Sequence, residues 1–150
     1  MLSVREFMTP QPKTLSRYNT LADARRAMAE NRCRHIPIVD EDGKLIGLVS
    51  QRDILRQSIP SQDQAEPEEL AEIESGTLLA DLMTTRVTTV GEEMSIADAA
   101  HLAHKRKHGC LPVVDENDRL EGIITDHDFV AIVVQLLDMM AEEEPPEDEV

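Results

Sequence analysis

Two short runs carry the residue types and spacing that could do chemistry: Gly47-Leu48-Val49-Ser50-Gln51-Arg52-Asp53 and Gly122-Ile123-Ile124-Thr125-Asp126-His127-Asp128. In each, an apolar run ends in a hydroxyl, and three residues later an Asp lies in what reads as the first turn of a helix. A carboxylate so placed can accept both hydroxyls of a ribose, while the helix start and the Ser or Thr hydroxyl favour a phosphate. The same spacing is also a plain helix-capping box, which recurs at Thr20-Leu21-Ala22-Asp23 and Ser95-Ile96-Ala97-Asp98. On these residues alone, ligand binding and simple capping both stand.

A second constellation is the His and Cys set: Cys33-Arg34-His35, His108-Gly109-Cys110, and His101 and His104 upstream. Thiol and imidazole suit zinc, yet Cys-x-His matches no recognised ligand spacing. At about 100° per residue, His101, His104 and His108 share one side of a helix, opposite Ile96, Ala99 and Ala103, as an exposed face does. No metal site is assigned; a metal-binding protein stays as an alternative. The basic residues Lys105-Arg106-Lys107, and Arg25, Arg26, Arg32 and Arg34 in the matching region, read as solvated helix faces, with contact to a phosphate or an acidic tail as the alternative. The chain shows no nucleophile elbow, protease Cys motif, His-Glu-x-x-His or Walker-type phosphate loop, and the expectation is a binding protein that is not an enzyme.

The elements that must position these residues come from a duplication. Shifting the chain by 75 residues aligns Met8-Thr9 with Met83-Thr84, Ala22-Asp23-Ala24 with Ala97-Asp98-Ala99, Pro37 with Pro112, Gly47 with Gly122 and Asp53 with Asp128, without a gap. In each copy a capped helix runs to about Asn31 or Arg106. Two β-rich runs then flank a turn at Glu41-Asp42-Gly43 or Asn117-Asp118 and read as an antiparallel hairpin, and Ser50 or Thr125 opens another helix. Neither copy is large enough to bury its own apolar faces, which predicts two βαββα repeats packed sheet to sheet about a pseudo-two-fold axis, an α+β fold with paired crevices. The expected divisions are 1–56 for the first repeat, 57–77 for an acidic linker in which Pro60 and Pro67 interrupt regular structure, 78–137 for the second repeat with its longer last helix, and 138–150 for an acidic tail. Phe129, Ile132, Val133, Leu136, Leu137 and Met140 recur at helical spacing and fit packing over the chain's own body or a second subunit.

Composition narrows the function. The formal charge is −15, but thirteen acids fall in residues 57–77 and 138–150, which hold no Lys or Arg, so the remaining body is near −2 and does not repel an anionic ligand. With no Trp, one Tyr and two Phe, base stacking on aromatic side chains is poorly served, and no helix-turn-helix remains once the repeat is assigned. Nucleic acid is not an expected partner. No signal peptide and no 18-residue apolar run is present, which gives an expectation of a cytoplasmic protein that does not enter a membrane. Two cysteines fit a reducing compartment.

The duplicated body from Val4 to about Val130 resembles a tandem pair of cystathionine β-synthase (CBS) domains, the arrangement called a Bateman module. The Met8-Thr9 and Met83-Thr84 openings carry the resemblance, with Pro37-Ile38-Val39-Asp40, Pro112-Val113-Val114-Asp115 and the two Gly-h-h-hydroxyl-x-x-Asp endings. It implies a regulatory module that binds adenine nucleotides (AMP, ADP, ATP) or relatives such as S-adenosylmethionine or NAD between the paired sheets, with Mg only beside a polyphosphate. It also implies a homodimer that signals to a regulated protein, with a scaffold of vestigial pockets as the alternative. By motif position, Asp53 with Ser50 and Asp128 with Thr125 would hold ribose or phosphate. His35-Ile36-Pro37 and Cys110-Leu111-Pro112 would line the base, and Lys13-Thr14 and Thr88-Thr89 would close the pockets. Arg52 could neutralise phosphate, whereas Asp126 and His127 flank the second motif, so the two sites are expected to differ in preference.

Overall fold

The structure, a computed structural model, describes residues 2–58, 67–107 and 109–143. Its elements in chain order are α1 (Val4–Phe7), β1 (Thr9–Pro10), α2 (Leu21–Asn31), β2 (His35–Val39), β3 (Leu45–Ser50), α3 (Gln51–Ser58), α4 (Pro67–Gly76), α5 (Leu79–Leu82), α6 (Ile96–Arg106), β4 (Cys110–Val114), β5 (Leu120–Thr125) and α7 (Asp126–Glu143). No helix among the described residues is long and apolar enough to cross a membrane.

Local chemistry accounts for the boundaries. Thr20 Oγ1 accepts from the Asp23 N–H at 3.3 Å while Asp23 accepts from the Thr20 N–H at 2.9 Å, and Ser95 Oγ accepts from the Asp98 N–H at 3.0 Å, so α2 and α6 start where their hydroxyls satisfy first-turn donors. Both helices end on left-handed residues, Arg32 and Lys107, neither of them glycine. The hairpin turns are held by carboxylates: Asp40 accepts from the N–H groups of Asp42 and Lys44, and Asp115 from those of Asn117 and Arg119. Gly43 takes a φ of 81° in the first turn and Asp118 a φ of 64° at the matching place in the second.

The two hairpins, β2–β3 and β4–β5, are antiparallel, and β1 extends the second into a three-stranded sheet of order β1-β5-β4. That edge belongs to the other copy. Thr9 of the first copy pairs with Ile123 of the second, and reciprocally Thr84 of the second bridges Leu48 of the first. The same crossing recurs where Ser3 bridges Ser95 and Thr20 bridges Leu78, and Lys44 bridges its own counterpart, Arg119, where the two turns meet on the pseudo-two-fold axis. Each core is accordingly shared. Leu79, fully buried, packs with Leu21, Ile36, Ile38 and Val49 of the first copy, with Leu82 and Met83 beside it. Val4, also fully buried, packs with Leu111, Val113 and Ile124 of the second, alongside Phe7 and Met8.

Two stretches differ from expectation. Within the acidic linker, Pro67 begins α4 instead of interrupting it, because a proline in the first turn lacks only an N–H that has no helical partner, and Glu74 of α4 pairs with Arg25 of α2 at 2.7 Å. Helix α7 runs on to Glu143, past the expected end at 137, and Val130, Val133, Leu136, Leu137 and Met140 along it are each about half exposed or more.

Candidate functional site

The hairpin register gathers the expected site residues at one end of each sheet. His35 lies opposite Ser50 and Cys110 opposite Thr125, where one strand begins and the other ends. At the first motif the Asp53 carboxylate accepts from the Ser50 N–H at 2.8 Å, and Ser50 Oγ accepts from the Asp53 N–H at 3.2 Å. At the second, Asp128 Oδ2 accepts from the Thr125 N–H at 2.9 Å and from the Thr125 hydroxyl at 3.2 Å. Both motifs therefore cap a helix, and the capping also fixes each carboxylate at a strand end. The capping and ligand readings are compatible in one geometry.

Between the copies lies a cleft of about 940 Å³. From the first copy come Arg34, His35, Ser50, Gln51 and Arg52; from the second come Lys107, Gly109 and Asp126, with a long apolar wall of α6 and α7 that includes Ile96, Ala100, Phe129 and Ile132. Its charged and imidazole lining is Arg34, Arg52 and Lys107, together with His35 and His104, against one carboxylate, Asp126. Such a mixture suits a ligand with an apolar or aromatic body and an anionic group. Arg52 and Asp126, expected to mark two different pockets, face this one space.

His35 sits at the junction: a Cβ built on Gly109 would lie 3.2 Å from Asp126 Oδ2 and 3.5 Å from His35 Cε1. Burial lowers the His35 imidazole below its ordinary range, and Arg34 and Arg52 push the same way, while Asp126 and Asp53 oppose them. Burial also pushes the Cys110 thiol up to about 12, aided by Asp126, Asp128 and Cys33, and it raises Cys33 as well. Both cysteines are free and stay protonated thiols at neutral pH, poor nucleophiles in that form. Among the described residues no three His, Cys, Asp or Glu side chains are grouped to hold a metal; His108 lies outside them.

The other expected positions are placed differently. Ile36 and Leu111 turn their side chains into the two cores, and Pro37 and Pro112 are fully buried, so these residues offer a ligand only backbone. Thr14 lines a second cleft of about 640 Å³ with Arg17, Tyr18 and the Asp40–Asp42 turn, and not the cleft that holds Ser50. Lys13 and His127 are exposed. Thr88 and Thr89, half-buried, lead into Val90, which runs beside Val113 as Leu15 runs beside Ile38. A residue not among the expected set also reaches the second motif: Thr9 donates its hydroxyl to Asp128 at 3.2 Å. The repetition of Met-Thr was visible, but nothing in the sequence says which copy the opening segment joins.

Two interlocked βαββα units, each ending in a carboxylate held by its strand-end hydroxyl residue, define a duplicated module with a cleft between its copies; Ser50 lines that cleft, whereas Asp53, Thr125 and Asp128 are not among its lining residues. The chain belongs to the CBS domain family, whose profile matches residues 4–59 and 79–135. Among solved structures, the Vibrio cholerae protein called a putative acetoin utilization protein (AcuB) is 42% identical with a TM-score of 0.80, covering 97% of this chain and 99% of that one. Arabidopsis thaliana CBSX2 in complex with AMP is 28% identical with a TM-score of 0.76, covering 91% of this chain and 98% of that one. Arabidopsis thaliana CBSX1, a chloroplastic CBS domain-containing protein, is 33% identical; the match takes in 89% of this chain and only 65% of the relative's length.

Proposed function

We propose that this CBS pair is a regulatory module that binds adenosine-containing ligands and passes occupancy to a partner protein, with no catalysis of its own. The observation that carries the reading is the matched pair of carboxylates, Asp53 and Asp128, each held by its strand-end hydroxyl residue, with Ser50 of the first pair lining the cleft beside Arg34 and Arg52. The AMP in the CBSX2 complex, whose crystallised chain is covered to 98%, supports an adenine nucleotide as the ligand class. In this reading the carboxylates take ribose hydroxyls, Arg52 and Arg34 face the phosphate, His35 lies beside the base, and Mg enters only with a polyphosphate. Thermal denaturation with AMP, ADP, ATP, S-adenosylmethionine and NAD tests it. A ligand at a hundredfold excess over Kd stabilises by about 2.7 kcal/mol, or about 5–10 °C for a chain of this size. No shift with any of the five would remove the proposal.

A second reading, a protein-interaction scaffold, draws on the aliphatic face of α7, where Val133 and Leu137 are 51% and 58% exposed. We assign that face to a homodimer contact, which light scattering would report as twice the chain mass.

A further inference from the structure

The two carboxylates are unequally committed. An ionised carboxylate offers about four lone-pair positions. At Asp128 three donors are in place: the Thr125 N–H at 2.9 Å, the Thr125 hydroxyl at 3.2 Å and the Thr9 hydroxyl at 3.2 Å. At Asp53 the Ser50 N–H at 2.8 Å is the one hydrogen bond among the described residues, and the Arg56 guanidinium stands off at 4.0 Å. Thr84, the counterpart of Thr9, bridges Leu48 through its backbone but sends no hydroxyl to Asp53 among the described residues. A ribose needs two acceptor positions for its two hydroxyls. Asp53 has room for both as it stands, whereas Asp128 has room for one.

Of the donors on Asp128, the two from Thr125 belong to the start of its own helix. Thr9 comes from the other copy, on a two-residue edge strand whose residues are exposed. Its bond is as long as that of the Thr125 hydroxyl but is divided between Oδ1 at 3.2 Å and Oδ2 at 3.5 Å and comes from an exposed strand, so it is the contact most readily given up. The rest of the segment has anchors of its own: the Ile96 N–H donates to the Leu2 carbonyl, the Val4 N–H donates to the Met94 carbonyl, and Arg5 pairs with Glu92 at 2.6 Å.

We propose that Thr9 is a positioning residue of the second site, competing with a ligand's ribose for Asp128, so that filling this site releases the edge strand of the first copy. The proposal rests on reading Asp128 as a ribose carboxylate. It makes Asp53 the site that fills first, and it gives occupancy of the second site a structural consequence in a segment that belongs to the first copy.

Calorimetry on the Asp53→Ala protein, which leaves only the second site, tests it with AMP and 2′-deoxy-AMP. Adding Thr9→Val, which keeps the shape and removes the donor, should tighten AMP about tenfold, the effect of one hydrogen bond to a charged group. It should change 2′-deoxy-AMP less than twofold, because one hydroxyl already fits the remaining position. Thr9→Ser in place of Thr9→Val should restore the weaker AMP binding. Far-ultraviolet circular dichroism shows that each variant is folded. AMP affinity unmoved by Thr9→Val, or both nucleotides moved alike, would overturn the role of Thr9 while leaving the site standing. If neither Asp53→Ala nor Asp53→Ala/Thr9→Val binds AMP, the reading of Asp128 falls and the inference falls with it.

Discussion

Leu79→Ala probes whether the copies are one folding unit. Leu79 follows the linker and counts as second-copy sequence, yet it is fully buried among Leu21, Ile36, Ile38 and Val49 of the first. Removing its three outer carbons forfeits about 0.8 kcal/mol of transfer free energy for each, and the cavity left behind raises the loss to about 3–4 kcal/mol. For a chain of this length that lowers Tm by about 10 °C. It also lowers protection of globally exchanging amides by a few hundredfold, since each 1.4 kcal/mol is a factor of ten. Amide hydrogen exchange read by mass spectrometry separates β2–β3 from β4–β5. Because Val4 ties the second core to the first copy as Leu79 ties the first core to the second, both hairpins should lose protection by the same factor. Normal protection of β4–β5 beside a weakened β2–β3 would refute the interlocked account.

Two further perturbations follow from particular contacts. A Cβ on Gly122 would lie 2.8 Å from the Thr9 carbonyl oxygen, which is backbone, whereas the three atoms nearest one on Gly47 all belong to the Met83 side chain, the first its Sδ at 2.5 Å. Gly122→Ala should therefore cost about 2 kcal/mol in urea denaturation and Gly47→Ala clearly less; equal costs would contradict the placement of β1. His35 has its imidazole lowered by burial, so near and below its ordinary value of about 6.5 the unfolded chain binds more protons than the folded one. Its contribution is whole above that value and is lost as the pH falls, so stability should drop as the pH is lowered below about 6.5 and His35→Gln should flatten the drop. An unchanged slope in His35→Gln would assign the effect elsewhere.

The helices and hairpins were legible because their signals are local. Thr20 and Ser95 cap where the spacing says, and alternation with the Asp-Gly turn sets β2 and β3. What was not legible depends on contact between the copies. A 75-residue repeat looks the same whether Met8-Thr9 joins its own copy or the other, and a two-residue strand has no periodicity to read. Pro67 followed by acids reads as a break, although the same residue opens α4 when it falls in the first turn. The pairing of each strand-end hydroxyl residue with its carboxylate was legible from spacing, but whether the pair also holds a ligand was not, since a capping box has the same spacing. The cleft was not, since its apolar wall on α6 and α7 and its cations Arg34 and Lys107 come together only when the second copy turns to face the first.

The central claim, that the strand-end carboxylates of both copies hold adenosine ligands, is tested most directly by calorimetric titration with AMP of the parent chain, Asp53→Ala, Asp128→Ala and the double variant. The account predicts two AMP per parent chain, the tighter on Asp53, one for either single variant and none for the double. Unaltered affinity in the double variant, or no heat of binding in the parent at millimolar AMP, would contradict it.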